Sequence, residues 1–424
     1  IYRVGEEGGL HNKHSPLPEH VFLPRYPQVV QNNLLEAKRE LLIPGCVRPK
    51  TIYRTAGFVK GELSGLTAGH ACSAKPPRLV SSCTPYYNYL VGPTTVAAMT
   101  VLKSAWNLDH VVVACSGLTV EQLGDSVYAR TRVPHLIFES DFSKFESSRA
   151  AFTFEEVYRF IDDCGLDTIG VDGVRVLTHM RRAERLAGKT RRGIRYSVDG
   201  VLCSGRPDTT LGNTIVNGLL QLYALCRSNK KTVLELIADN VVIYVNGDDC
   251  LIITPLGYVC DDTHLTKLGF MIERCSRRTI WDATFCSQRM YPAFDLVETF
   301  RPAPKIGRFT CRFGTFVDPP YQPGTALAKG MLRGAALGMV SIVNHVQPMA
   351  AQVRAILRNT KGFQPKHHDA RKMIYQPFRQ GQRVPTALPA TAGMFIQVYA
   401  VPNFDTMEKD YESVSSLPWA LNNA

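Results

Sequence analysis

Val241-Val242-Ile243-Tyr244-Val245-Asn246-Gly247-Asp248-Asp249-Cys250-Leu251-Ile252-Ile253 is two apolar runs rich in β-branched residues, joined by a polar tetrapeptide. Such runs form buried strands, and a Gly-containing polar link supplies the tight reversal, so the pattern predicts a strand, a turn and a strand. Asp248 and Asp249 then sit side by side at the tip. Their carboxylates repel, and a bound cation is the economical compensation. Alone, the tip reads equally as an ordinary turn, because Gly and Asp are favoured turn residues.

Asp141 changes that balance. It follows a short apolar strand expected at His135 to Phe138, far enough upstream for that strand to lie beside the hairpin, so three acids are expected to converge. Phosphoryl transfer uses such a cluster: two metals about 3.5–4 Å apart activate the attacking hydroxyl and stabilise the leaving oxygen, and an oxygen-rich donor set suits Mg2+. Between these segments lies Ser204-Gly205-Arg206-Pro207-Asp208-Thr209-Thr210-Leu211-Gly212-Asn213, a small-residue loop running into a helix expected over Gly212 to Ser228. It can shape itself around a nucleotide; its other reading has Ser204 or Asp208 capping the helix.

Bulk properties agree with a nucleic-acid partner. The 424 residues carry 49 Lys and Arg against 37 Asp and Glu, a formal charge of +12 that attracts polyanions. Length implies two or three subdomains, and a hydrophobic share of 45% is ordinary for a folded chain. Twelve cysteines run from Cys46 to Cys311 with no Cys-x-x-Cys pair, which argues against a zinc site and for a reducing compartment. No uninterrupted apolar run reaches about 18 residues, so no membrane-spanning helix is expected. The start at Ile1, with neither a basic nor an apolar leader pattern, suggests a processed or trimmed product.

Further helices are expected at Asn32 to Leu42, Val96 to Trp106, Glu121 to Arg130, Phe145 to Asp163, Thr325 to Gly338 and Gln347 to Asn359. Thr51 to Tyr89, glycine-punctuated and carrying Lys75-Pro76-Pro77-Arg78, reads as an extended loop. Arg181 to Arg195, with seven basic residues and one acid, reads as solvated charge before a small strand near Tyr196 to Val198. Gly188-Lys189-Thr190 resembles the end of a phosphate-binding loop but lacks its upstream glycine, since Ala183 stands there. His367 and His368 read as a surface pair.

In this order and at these separations the three acidic and loop segments resemble motifs A, B and C of viral RNA-dependent RNA polymerases. Asp141 with Glu146 is similar to motif A, Ser204-Gly205 with Thr209 and Asn213 to motif B, and Gly247-Asp248-Asp249 to motif C. The wording of Asn246 to Cys250 and Thr210 to Thr214 is closest to the tombusvirus-like plus-strand group. The likeness extends over roughly Lys75 to Arg289.

The resemblance implies an α+β right-hand polymerase, with an antiparallel-sheet palm, interleaved fingers and a mainly helical thumb. It divides the chain into an N-terminal arm (1–50), fingers (51–134), palm with motif A (135–165), a fingers insertion (166–198), palm with motifs B to E (199–300) and a thumb with a basic C-terminal segment (301–424). It implies Mg2+, with Mn2+ able to substitute, on Asp141 and Asp248, and Asp249 as a weaker or indirect contributor. Lys75 and Arg78 resemble motif F on the incoming triphosphate. Glu146, Ser204, Gly205, Thr209 and Asn213 resemble the set that reads the nucleotide and its 2′-hydroxyl, with Glu146 where much of the family has aspartate. Leu268-Gly269-Phe270 resembles motif D, with Lys267 a candidate proton donor, and Phe285-Cys286-Ser287 resembles motif E, which grips RNA. Implied partners are template and nascent RNA, ribonucleoside triphosphates and other viral replication proteins. Implied location is the host cytoplasm, at membrane-associated complexes reached through other segments. The basic stretches Arg181 to Arg195 and Lys361 to Arg383 could track RNA phosphates. A reverse transcriptase and an inactive RNA-binding replication protein are the rival readings.

Overall fold

The computed structural model describes residues 14–60, 78–148, 151–314, 324–366 and 384–399. Lys75, the pair His367 and His368, and most of Lys361 to Arg383 lie outside them. Among the described residues the strands, in chain order, are β1 (Arg54–Val59), β2 (Leu79–Cys83), β3 (Val112–Ala114), β4 (His135–Phe142), β5 (Leu186–Thr190), β6 (Arg195–Val198), β7 (Val242–Asn246), β8 (Asp249–Pro255), β9 (Ile272–Arg277), β10 (Gln288–Asp295), β11 (Val297–Pro304) and β12 (Thr386–Ala387). The chain divides into two compact units. The first takes the described residues up to Lys60, from Arg78 to Ser116, and from Phe138 to Ser276; the second takes Gly117–Ile137 and the described residues from Arg277 onward.

The central sheet of the first unit has the order β3-β7-β8-β4-β9. The expected hairpin is its middle: β7 and β8 pair antiparallel from Val242↔Ile253 to Asn246↔Asp249, which leaves Gly247-Asp248 as a two-residue turn. Val242 to Val245 are fully buried, and Leu251 to Ile253 nearly so. Each such aliphatic side chain contributes about 1.5–3 kcal/mol on burial, enough to hold a polar tip in place. The strand of Asp141 is also where the sequence put it, since β4 is hydrogen-bonded beside β8. The helix after the small-residue loop spans Thr209–Asn229 and packs on β7.

A second sheet in this unit, of order β2-β1-β5-β6, corrects two expectations. The stretch read as an extended loop contains β1 and β2, paired antiparallel, and its end already lies in the helix Pro85–Ala105, which continues through Pro93. The stretch read as solvated charge contributes β5, which lies parallel to β1 with Arg54 opposite Ala187. The hydroxyl of Tyr196 on β6 is 2.8 Å from Ser81 Oγ and 3.1 Å from Thr55 Oγ1, a polar clasp across the sheet. Neither β1 nor β5 alternates clearly in sequence, and the two pair with each other across more than a hundred residues.

Phe145 to Asp163 is likewise not one helix. Lys144 takes a left-handed conformation (φ 53°), a single 3₁₀ turn follows at Phe145–Ser147, and the helix proper is Ala151–Asp163.

In the second unit β10 pairs with β11 and β12, and the helix Val120–Arg130 packs on β11. Arg301 of β11, 3% exposed, is held by Asp125 and Asp295, each at 2.7 Å. The helices Ala326–Val343 and Gln347–Asn359 pack together, with Leu332, Ala336, Val343, Met349 and Ile356 in one core with Tyr291 and Phe395. Ala326–Val343 is, among the described residues, the one helix long and apolar enough by composition to cross a membrane. Its place in that core gives the same composition another use.

Candidate active site

The hairpin tip is held from below by the Thr209–Asn229 helix. Gly247 has φ +64°, a backbone conformation that glycine takes without strain. Its amide donates to Thr214 Oγ1 at 3.0 Å. One turn further along, Asn217 Nδ2 lies 3.0, 2.9 and 3.3 Å from the carbonyl oxygens of Gly247, Asp248 and Asp249, so a single amide group holds the whole tip. Another turn on, Gln221 Nε2 donates to Asn217 Oδ1 and to Ser140 Oγ, both at 3.2 Å. Gln221 Oε1 accepts from Arg274 Nη2 at 2.8 Å, and Arg274 Nε donates to Asp262 at 2.7 Å.

Thr214, Asn217 and Gln221 are all fully buried. Their hydrogen bonds connect the Asp248 turn to the residue preceding Asp141. A buried polar network of this kind favours one geometry, because alternatives leave further donors or acceptors unpaired in a low-dielectric interior, where Arg274 Nη1 is already without a partner.

The same network sets which way the acids face. Ser140 is bonded to Gln221 and also to the buried Cys250 thiol, so Ser140 and Cys250 share the helix side of the sheet. Side chains alternate along strands, which places their neighbours Asp141 and Asp249 on the opposite face. Both are exposed, and Asp248 at the turn is half-buried.

The strands thus converge as expected; among the described residues no three His, Cys, Asp or Glu side chains form a group placed to hold a metal ion. Mutual repulsion of like charges opposes their clustering. The donor set nonetheless fits Mg2+, being carboxylate oxygens on adjacent strands, on the accessible face, with the backbone beneath one of them fixed.

Glu146 follows on the 3₁₀ turn, half-buried, and its carbonyl accepts from the Leu202 amide at 3.1 Å. That bond joins the Asp141 segment to the approach of the Ser204 loop. Phe142, Phe145 and Phe270 pack ring against ring at 4.5 to 5.9 Å, and the Ser143 amide donates to Met271, so the segment resembling motif D locks the turn carrying Glu146. Lys267 itself is exposed.

In the loop, Ser204 is exposed and Asn213 buried. The Thr209 hydroxyl donates to the Cys203 carbonyl at 2.7 Å, so its proton closes the loop. Gly205 bridges to Ser82, and a Cβ there would come 2.2 Å from the Ser81 carbonyl oxygen; only glycine permits this approach. Neither Ser204 nor Asp208 caps the helix: Asp208 is the N-cap residue but makes no capping bond, its carboxylate being taken by Arg206 at 2.8 and 2.9 Å. Burial opposes the Arg206 charge, yet Asp208 raises its pKa well above the ordinary value.

Both members of this ion pair are more than nine-tenths buried. Arg206→Ala would leave Asp208 unpaired in the interior, and a loss of about 3–5 kcal/mol in chemical denaturation is expected. A loss below about 1 kcal/mol would show that the pair does not hold the loop.

Arg78 is exposed at the start of β2. In the second unit Phe285 is buried, while Cys286 (φ 51°) and Ser287 (φ 62°) form a two-residue turn closed by paired Phe285 and Gln288 backbone bonds. Two non-glycine residues with positive φ in a turn that normally selects Asn-Gly is a costly conformation. Arg308 Nη1 donates to Ser287 Oγ at 3.0 Å. The sequence reading missed Thr214, Asn217, Gln221 and Arg274. For the first three the available signal was polar residues at i, i+3 and i+7 within the largely apolar middle of one helix.

This architecture, a mixed sheet with an acidic hairpin at its middle and helices packed around it, is the right-hand polymerase fold. The solved structure of the RNA-dependent RNA polymerase of a human picorbirnavirus superposes with a TM-score of 0.56 at 14% identity, covering 73% of this chain and 56% of that one. An insertion-loop deletion mutant of the RNA-dependent RNA polymerase of a human picorbirnavirus gives 0.55 at 15% identity, with 73% and 58% covered. The chain therefore spans somewhat over half the length of these neighbours. No protein-family profile matches the sequence, and no curated protein is similar to it in sequence.

Proposed function

We propose that the protein is an RNA-directed RNA polymerase that replicates a viral RNA genome. The observation that carries this reading is the bonding of the Asp248 turn through Asn217 and Gln221 to Ser140, which fixes the backbone of the turn beside that of Asp141 on β4. In a fold shared with RNA-dependent RNA polymerases, those are the acids that would hold Mg2+, or Mn2+ in its place, with Asp249 contributing less directly. The bound ions would supply the charge stabilisation that in-line nucleotidyl transfer requires.

The chain's own residues then have separate tasks. Ser204, Gly205 and Asn213 shape the nucleotide pocket, and Glu146 reads the ribose 2′-hydroxyl beside them. Thr209 closes the loop with its proton and presents only its oxygen to a ligand. Lys75 and Arg78 screen the triphosphate, and the turn of Cys286 and Ser287 holds the RNA, with Phe285 buried beneath it rather than in contact with RNA. The grouping with tombusvirus-like plus-strand viruses rests on motif wording, since the two solved neighbours come from a picorbirnavirus. Host cytoplasm, with other replication proteins supplying any membrane attachment, is the corresponding location.

Template-directed incorporation on an RNA template, with ribonucleotides and deoxyribonucleotides and with and without primer, tests the reading. Ribonucleotides are expected to be incorporated in preference. Preferential use of deoxyribonucleotides would assign a reverse transcriptase instead, and RNA binding with no incorporation of either would leave an inactive replication protein.

A further inference from the structure

Two thiols in the first unit lie where β2 meets the loop that feeds the Thr209–Asn229 helix. Cys83 ends β2, and Cys203 immediately precedes Ser204-Gly205. The Ser82↔Gly205 bridge fixes the two backbones against each other. The chain reverses between Cys203 and Arg206, with the Arg206 amide donating to the Cys203 carbonyl at 3.1 Å, and this brings Cys203 back alongside Cys83. The thiols are hydrogen-bonded to each other, and Cys203 Sγ donates onward to the Ser81 carbonyl at 2.7 Å.

Both cysteines line one small cavity together with Tyr53, Tyr87 and Arg206. Its volume of about 10 Å³ is room for roughly one water-sized molecule. Two polar atoms of residues in its wall, the Tyr87 hydroxyl and Arg206 Nη1, are buried with no hydrogen-bond partner. Buried polar atoms without partners are uncommon, and both belong to residues that line this space.

We propose that Cys83 and Cys203 are a peroxide-responsive pair that closes into a disulfide between β2 and the nucleotide loop. The Cys203 thiolate attacks one oxygen of hydrogen peroxide; the O–O bond breaks, hydroxide leaves and is protonated to water, and Cys203 becomes a sulfenic acid. Cys83 sulfur then attacks Cys203 sulfur, the S–O bond breaks, and a second water departs with the Cys83 proton. Two thiols lose two electrons in all, and one peroxide becomes two waters.

The bond from Cys83 lowers the Cys203 thiol, and the Gly205 amide and the Arg206 charge act in the same direction, against burial and the Asp208 charge. The same bond, and burial with it, hold the Cys83 thiol above its ordinary value. In a reducing compartment the pair rests as thiols and closes only under peroxide.

The test treats the folded protein with hydrogen peroxide, alkylates remaining thiols with N-ethylmaleimide, and maps unreduced peptides by mass spectrometry. A Cys83–Cys203 cross-linked peptide that dithiothreitol removes is expected. Alkylation of both residues after treatment, or their separate conversion to sulfinic acids, would overturn the pair. Cys83→Ser and Cys203→Ser should each abolish the cross-link without passing the partner to another cysteine; a partner joined elsewhere also overturns it.

A second arm follows RNA synthesis and rests on the polymerase reading. Incorporation should fall at least several-fold in the oxidised wild type, recover with dithiothreitol, and persist in peroxide-treated Cys83→Ser. Cross-linking without any loss of incorporation would overturn the regulatory consequence while leaving the disulfide standing. A protein that cross-links but never incorporates nucleotides would fail the polymerase reading alone.

Discussion

Asp248→Ala is expected to abolish Mg2+-dependent ribonucleotide incorporation, by about a thousandfold or more, with RNA binding and thermal stability left near wild type. The magnitude follows from the role: a carboxylate that holds a metal supports several kcal/mol of transition-state charge stabilisation, and each 1.36 kcal/mol is about tenfold in rate. Stability should be spared because Asp248 occupies the turn, only half-buried, and the contacts that hold the turn are made by its backbone. Removing one of two adjacent like charges also relieves repulsion with Asp249. Asp141→Asn should behave in the same way, while Asp249→Asn, on the strand rather than in the turn, should retain partial activity and shift the Mg2+ requirement upward. Wild-type incorporation by Asp248→Ala would end the mechanism assigned here, and a parallel loss of RNA binding would show that the substitution acts through the fold.

The sequence made the site's strands legible and its supports invisible, for a physical reason. A fully buried hairpin with a two-residue polar turn is specified within thirteen consecutive residues, from Val241 to Ile253, so it can be read locally. The apolar start of the strand of Asp141 is readable at Leu136 to Phe138, although β4 runs on through Asp141 to Phe142, and its place beside β8 follows from the chemistry the acids need. Thr214, Asn217 and Gln221 carry no such mark. A polar residue in an apolar helix is readable only when its partner is known, and their partners on other elements are a backbone amide, backbone carbonyls, a serine and an arginine. The β1-β2-β5-β6 sheet was hidden for a related reason, since β1 and β5 meet across more than a hundred residues and the sheet is clasped by Tyr196 rather than by alternating apolar side chains. Arg206 and Asp208, read as part of a flexible loop, turn out to be its rigid element.

Asn217→Ala is the second large effect expected, and it separates positioning from chemistry. Asn217 touches no atom proposed to hold metal or nucleotide; its amide meets the carbonyls of Gly247, Asp248 and Asp249, and its Oδ1 receives Gln221. Truncation leaves buried acceptors unpaired, at a cost of about 1–3 kcal/mol in stability, which the remaining core should absorb. The larger consequence is geometric. A displacement of about 1 Å in a reacting group can cost about a hundredfold in rate, so incorporation should fall by about that factor while the protein remains folded by circular dichroism. The Mg2+ dependence distinguishes this from a general loss of stability: a turn that no longer presents Asp248 in register with Asp141 should need more Mg2+ for half-maximal activity, whereas partial unfolding lowers the plateau and leaves the midpoint in place. Asn217→Asp keeps the shape but turns an oxygen toward three carbonyl oxygens, and should be at least as impaired as Asn217→Ala. Gln221→Leu, which cuts the link to Ser140 and leaves the turn's own bonds intact, should show a smaller shift in the same direction. Full activity with an unchanged Mg2+ midpoint in Asn217→Ala would mean that the hairpin holds its acids without the helix beneath it.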